Sequence, residues 1–124
     1  MAIPDYQTLM LPFLKYLSDS KEHSFREAIE HLSNEFKLSK EEKEEILPSG
    51  QQPVINNRIG WARTYMLKAG LLEAPKRGYL KISERGLDVL KEKPAQINVK
   101  YLEKFPEFIE FRTTRKRLSA QISN

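Results

Sequence analysis

One segment limits the possible folds more than any other: a helix-forming run over residues 54–69 with a stop signal directly after it. At 100° per residue its apolar side chains share one face, so the run predicts an amphipathic helix packed on a core. That face consists of Ile55, Ile59, Ala62, Met66 and Ala69. Gly70 follows, and glycine readily adopts the left-handed conformation that ends a helix. We therefore expect the chain to reverse direction at once.

Two short apolar runs follow this glycine, at residues 71–74 and 79–82. The connection between them, residues 75–78, reads Pro-Lys-Arg-Gly and has the composition of a turn. The two runs therefore predict the strands of a small antiparallel hairpin with a basic tip. Ser83 predicts the N-cap of one more helix, over residues 84–92.

Three further helices are predicted before this part of the chain, over residues 5–18, 25–36 and 40–47. The first shows apolar side chains at helical spacing, although Pro12 inside it predicts a kink or an irregular first turn. The second and third begin at capping-box pairs, Ser24 with Glu27 and Ser39 with Glu42. Several helices, a hairpin and a helix follow the order of a winged helix-turn-helix. The predicted fold class is mainly α with a small two-stranded antiparallel hairpin.

At 124 residues the chain predicts one main domain, over residues 1–95. The aromatic segment that follows, residues 96–112, is expected to pack on it as a C-terminal extension. Residues 113–124 are polar and basic and predict a linker. Cysteine is absent, which excludes a disulfide framework and a thiol nucleophile. Together with the lack of a signal peptide or a long apolar run, this composition predicts a cytoplasmic protein.

Positive charge is concentrated where the helix and hairpin lie. Residues 19–48 carry five Lys or Arg against nine Asp or Glu, whereas residues 51–86 carry seven against two. A surface of this kind suits a phosphate backbone, and we expect double-stranded DNA as the partner. The alternative is an ordinary solvated face.

Polar side chains at the start of the long helix are candidates for base contacts. Gln51, Gln52, Asn56 and Asn57 carry amide groups, which can bond adenine in the major groove. Asn57 points outward on the helical wheel and so does Thr64. The two glutamines could instead cap the helix or face solvent.

Basic side chains along the same helix are candidates for phosphate contacts, which position a protein without reading sequence. They are Arg58, Arg63 and Lys68. Each could instead pair with the acidic second helix, and Arg63 could read a guanine. Trp61 also lies on the outward side, but we expect other parts of the fold to bury it.

Two cations occupy the predicted hairpin tip. Lys76 and Arg77 are expected to contact the DNA backbone or a groove, the alternative being an exposed turn without a partner. The basic cluster from Arg112 to Arg117 is interpreted as part of the linker.

No catalytic constellation can be read in the chain, so we expect a domain that is not itself an enzyme. Two E-x-K triplets, at residues 35–37 and 41–43, match a fragment of metal-dependent nuclease sites. Both lie on predicted helices, and no strand carrying an aspartate precedes them. His23 and His31 lack partners at metal-ligand spacing. No metal site and no cofactor is expected.

The residues also resemble a known family. The central run is LPSGQQPVINNRIGWARTYMLKAGLLEAPKRGYLKIS, and the flanking motifs are Ile3-Pro4-Asp5-Tyr6, Leu11-Pro12-Phe13-Leu14 and Phe105-Pro106-Glu107-Phe108. Together they resemble the N-terminal domain of the Mrr-type, methylation-directed (type IV) restriction endonucleases over residues 1–112. The resemblance implies a winged helix that recognises DNA, typically DNA bearing methylated bases. It also implies that a C-terminal PD-(D/E)xK-type nuclease domain, which this chain lacks, cuts the DNA.

The function predicted from the sequence is therefore DNA recognition, with the helix 54–69 in the major groove and the basic hairpin on the backbone. The expected partners are methylated duplex DNA, a covalently linked nuclease domain and a second copy in a homodimer. Two alternatives stay open at this point. One is a winged helix that mediates protein association through the first helix and the aromatic tail. The other is a transcriptional regulator.

Overall fold

The computed structural model describes the backbone of residues 3–122 and the side chains of residues 3–114. The fold is mainly helical, with a small antiparallel sheet. In chain order the elements are α1 Tyr6–Tyr16, β1 His23–Ser24, α2 Phe25–Glu35, α3 Lys40–Glu44, α4 Val54–Lys68, β2 Leu72–Glu73, β3 Tyr79–Ile82, α5 Glu84–Lys91, α6 Val99–Leu102 and α7 Pro106–Ile122.

Five helices begin where a polar side chain accepts a hydrogen bond from a free backbone N–H group, namely α1, α2, α3, α5 and α6, whereas Pro53 before α4 supplies no such cap. Both predicted capping boxes are present, Ser24 with Glu27 at α2 and Ser39 with Glu42 at α3. At α5 the Ser83 hydroxyl accepts a hydrogen bond from the backbone of the third helical residue. These local signals explain why the predicted and observed starts of the three helices agree.

Helix α1 continues through Pro12 from Tyr6 to Tyr16 as one helix. The sequence predicted a disturbance because proline removes one hydrogen bond. Leu11 and Phe13, on either side of the proline, are both buried and hold the helix against the core. Packing against the core therefore keeps the chain helical across the proline, and the kink itself stays a prediction.

The sheet has three strands, so the predicted two-stranded hairpin is incomplete. β3 lies in the centre, pairing antiparallel with β2 on one side and with β1 on the other. His23 faces Leu80 and Ser24 faces Tyr79 across the added pair. The backbone N–H of Phe25 then donates to the carbonyl of Gly78 over 2.8 Å. β1 therefore ties the start of α2 to the hairpin.

Helix α4 lies at the centre of the core and packs most extensively against α1. The five apolar side chains predicted for its inner face are all buried, which confirms the predicted orientation. They are Ile55, Ile59, Ala62, Met66 and Ala69. Because this face of α4 is buried in the core, the polar flanks of the helix are available for other contacts.

The segment after Pro94 completes the core rather than leaving it. Phe108 is fully buried and packs edge-on against Tyr65 of α4, with 5.6 Å between ring centroids. Arg112 pairs with Glu103 over 3.0 Å. Helix α7 then continues to Ile122, so residues 113–122 are helical, and their role as a linker stays a prediction. The side chains of Arg115, Lys116 and Arg117 lie outside the described residues.

Between residues 3 and 122, no helix is long and apolar enough to cross a membrane.

Candidate nucleic-acid interface

A groove of about 560 Å³ separates α4 from the β2–β3 hairpin. The hairpin is held in place because Gly70 turns the chain in the left-handed region, and the N–H of Leu71 donates to the carbonyl of Met66 over 2.9 Å. Leu80 and Ile82 of β3 bury their side chains in the core. The groove is lined by Phe25, Arg63, Thr64, Leu67, Lys68, Ala74, Lys76, Arg77, Gly78, Tyr79 and Leu80.

The lining of this groove is strongly one-sided in charge. It contains two lysines and two arginines and no carboxylate. A groove of similar volume, about 540 Å³ between α1, the end of α2 and residues 95–98, shows the opposite pattern, because Asp5 and Glu35 line it without any Lys or Arg. Of these two grooves, the one beside α4 suits a polyanion.

Arg63 lines this groove from α4. Its Cζ stands over the ring of Phe25 at 4.1 Å from the centroid, which is a cation–π contact. Burial lowers the pKa of its guanidinium below the ordinary value. None of the ion pairs between residues 3 and 114 includes Arg63. The charge is thus positioned by an aromatic ring rather than neutralised by an acid.

The hairpin tip carries two exposed cations. Lys76 lies over the ring of Tyr79 at 4.2 Å and pairs with Glu22 over 3.5 Å. Both partners of that ion pair are largely exposed, so the pair is weak and can exchange for another anion. Arg77 takes part in none of the ion pairs within residues 3–114.

Lys68 forms the far edge of the groove, where α4 meets α7. Its Nζ lies 5.3 Å from the centroid of Phe111. Thr64 is half-buried one turn before it. The structure therefore brings five of the predicted residues to one groove: Arg63, Thr64, Lys68, Lys76 and Arg77.

The predicted base-reading amides are distributed differently. Gln52 and Asn56 line a second groove of about 450 Å³ between α2 and α4, on the other side of Phe25. Gln51 is exposed in the loop before α4, and Asn57 is half-buried without lining either groove. The loop itself contains a tight turn, since the N–H of Gly50 donates to the carbonyl of Leu47 over 2.7 Å, and the N–H of Leu47 donates to the carbonyl of Gln52 over 3.0 Å.

That turn also corrects the predicted extent of the third helix. α3 ends at Glu44 rather than at residue 47, because Ile46 already pairs with Pro53 in an antiparallel bridge. The N–H of Val54 donates back to the carbonyl of Glu45 over 2.8 Å. The start of α4 is therefore anchored to the end of α3.

Arg58 lies away from the groove. Its Nη1 donates to the carbonyls of Ile3, over 2.7 Å, and Pro4, over 3.3 Å. The guanidinium thus fastens the N-terminal segment to α4, a structural role where the sequence predicted a phosphate contact. Trp61 was expected to be buried but is 39% exposed, with its ring edge-on to Tyr65 at 5.9 Å.

Two groove residues escaped the sequence reasoning. Phe25 is the first residue of α2 and was read as part of an apolar stripe, yet it separates the two grooves and supports Arg63. Tyr79 supports Lys76 in the same way. Phe25 and Arg63 are 38 positions apart, so no local spacing marks their contact, whereas Lys76 and Tyr79 lie three positions apart within the hairpin.

Among the side chains of residues 3–114, no group of three or more His, Cys, Asp or Glu is placed to hold a metal ion. The polar side chains that line the two grooves beside α4 include cations and amides.

Comparison with known proteins identifies the family. Residues 6–92 match the model of the Mrr N-terminal domain, which spans every element from α1 to the end of α5. The chain belongs to the Mrr N-terminal domain family. The predicted resemblance is thereby confirmed, and the groove between α4 and the hairpin lies within the matched region.

A curated relative shares this domain. It is the type IV methyl-directed restriction enzyme EcoKMrr of Escherichia coli (strain K12), 30% identical over 95 residues that make up 76% of this chain. The match covers 31% of that enzyme, so this chain spans about a third of its length. No solved structure matches the chain. The Mrr N-terminal domain described here is thus homologous to one part of a restriction enzyme.

Proposed function

We propose that this Mrr N-terminal domain binds duplex DNA as a winged helix. In the proposed complex, α4 enters the major groove and the β2–β3 hairpin lies on the adjacent backbone as the wing. The observation that carries the proposal is the groove between these two elements, whose lining holds four cations and no carboxylate. The charge pattern fits phosphates, and the pairing of helix and hairpin fits the way winged helices dock.

The dimensions are compatible with this arrangement. Helix α4 has 15 residues and is therefore about 22 Å long, with a diameter of about 10–12 Å including side chains. The major groove of B-DNA is about 12 Å wide. In the proposed complex Lys68 on α4 and Lys76 with Arg77 at the hairpin tip hold phosphates, which fixes orientation without reading sequence.

The second part of the proposal concerns the biological context. The homology to a methyl-directed restriction enzyme supports a role as the target-binding part of a restriction system. Cleavage would reside in a PD-(D/E)xK-type nuclease domain attached to such a module, since the matched part accounts for only 31% of the relative. The domain would then act by delivering a nuclease to its target.

The direct test is fluorescence anisotropy of the chain on paired duplexes, methylated and unmethylated, at about 50 and 200 mM salt. Binding that weakens steeply with salt supports the proposal, because phosphate contacts release counterions. Tighter binding to the methylated duplex would assign methyl recognition to this domain. The absence of binding at the lower salt concentration would refute the DNA-binding function.

Protein association is the second candidate function, favoured by two exposed apolar side chains. Trp61 on α4 is 39% exposed and Ile109 on α7 is 44% exposed. The route through the first helix is unsupported, because the apolar side chains of α1 are buried in the core. Sedimentation velocity of the chain and of the Ile109→Asp variant distinguishes the cases. A dimer that the variant abolishes would favour association, and a wild-type monomer would exclude this self-association.

A transcriptional regulator is the third candidate function. It would contact DNA in the same way as the proposed restriction module and would differ only in the domain attached to it. The homology to a restriction enzyme favours the nuclease-linked reading.

A further inference from the structure

Gly60 occupies an unfavourable position in the middle of α4. After proline, glycine is the residue that most destabilises a helix interior. Gly60 lies seven residues into this helix and is half-buried on its outer flank, one turn before Thr64. The contacts around each glycine show whether the fold itself requires it.

Each of the other glycines has an intramolecular requirement. Gly50, Gly70 and Gly78 have φ values of +76°, +80° and +81°, which side-chain-bearing residues rarely adopt. At Gly86 an added Cβ would lie 2.4 Å from the carbonyl oxygen of Leu71. Backbone conformation or close packing therefore selects glycine at these four positions.

Gly60 has neither requirement. Its backbone is helical, and an added Cβ would lie 3.9 Å from the Phe25 ring and 4.0 Å from Nη2 of Arg63, both ordinary contact distances. Alanine would fit without any shift and would stabilise the helix. The fold therefore does not itself require glycine at this position, which lies directly beside Arg63.

The surroundings of Gly60 indicate what would approach there. Phe25 lines both grooves of the outer face and carries the guanidinium of Arg63 over its ring. A guanidinium positioned by an aromatic ring keeps N–H donors in a fixed fork, which suits two acceptors side by side. In the major groove, O6 and N7 of guanine provide such a pair.

We propose that Arg63 reads a guanine in the major groove, that Phe25 positions its guanidinium, and that Gly60 leaves the space through which the base edge approaches. This assignment rests on the proposed DNA-binding function and adds a specificity-determining residue to it. Arg63 is thereby separated from Lys68, Lys76 and Arg77, which hold phosphates.

The test uses the 124-residue chain and a duplex library with a randomised core of about 12 base pairs, sequenced in the bound and unbound fractions. The wild type should show a guanine preference of about tenfold at one position. Arg63→Lys keeps the charge but loses the fork, so the preference should fall to near one. Affinity for the pooled library and its salt dependence should stay within about twofold. Arg77→Lys, the matched control at a phosphate position, should leave the preference unchanged.

Gly60→Ala separates function from stability. Because alanine favours the helix, the variant should melt roughly 3–6 °C higher than the wild type. Its guanine preference should nevertheless fall, since the added methyl group fills the approach to Arg63. A variant that is more stable yet retains full preference would show that the space beside Arg63 is not used.

These outcomes distinguish failure of the proposed guanine contact from failure of the proposed DNA-binding function. Failure of the wild type to bind the pooled library in a salt-dependent way would refute both. Salt-dependent binding without a guanine preference, or with a preference that Arg63→Lys leaves intact, would overturn the reading of guanine alone. Loss of the preference in Arg77→Lys would also overturn it, because any loss of an arginine fork would then have the same effect.

Discussion

The salt dependence of DNA binding can be worked out from the groove. If Lys68, Lys76 and Arg77 each neutralise one phosphate, log Kd should change with log salt with a slope of magnitude about 2.7, at ~0.9 per contact. Raising salt from about 50 to 200 mM should then weaken binding ~40-fold. Replacing Lys76 and Arg77 together by alanine leaves one contact. The slope should fall to ~0.9 and the same salt step should weaken binding only about threefold.

The assay is fluorescence anisotropy with a labelled duplex of about 20 base pairs at three or more salt concentrations. The matched control replaces Lys15 and Lys91, two exposed lysines that do not line the groove. This double alanine variant removes the same net charge as the groove variant. It should keep the wild-type slope, because counterion release depends on contacts rather than on total charge. Equal slopes for the two double variants would refute the assignment of the hairpin tip to phosphates.

Three further predictions follow from individual contacts. E22Q should tighten DNA binding about two- to fivefold at low salt, because it frees Lys76 to contact a phosphate. In a Lys76→Ala background the same substitution should give no gain in affinity. In urea denaturation, Phe108→Ala should lower the free energy of unfolding by about 3–5 kcal/mol, because Phe108 is buried, and Ile109→Ala should lower it by less than about 0.5 kcal/mol, because Ile109 is exposed. Equal losses for the two variants would contradict the packing of α7. Backbone N–H groups of the N-cap serines lower the pKa of Glu27 and Glu42, so their stabilisation is complete above about pH 4.3. It is lost as pH falls through the lowered values, and a urea midpoint unchanged between pH 6 and pH 3 would argue against it.

Local rules were sufficient for most of the helical framework. The capping boxes, the apolar periodicity of α4 and the turn at Gly70 each depend on residues within about four positions of one another. Interactions between residues so close in the sequence can be predicted from that sequence alone. The bounds of α2, α4 and α5 were therefore predicted to within one residue at each end.

Contacts between distant residues account for the differences. β1 is two residues long and is a strand because it pairs with Leu80 and Tyr79, which lie more than fifty positions away in the sequence. Arg58 appeared available for phosphate until the N-terminal carbonyls reached it from the far end of the chain. The helical conformation of residues 113–122 was not predicted, because no apolar periodicity marks this polar segment as a helix.

The sequence by itself determined that a central amphipathic helix would be followed by a basic hairpin, and it carried the motifs that identify an Mrr N-terminal domain. Only the tertiary structure decided which cations share a surface. Pairing of β1 with β3 places Phe25 beneath Arg63 and brings the hairpin tip across a groove from α4. The physical reason is that helix and turn signals act over a few residues, whereas a binding groove is formed by side chains that only chain folding brings together.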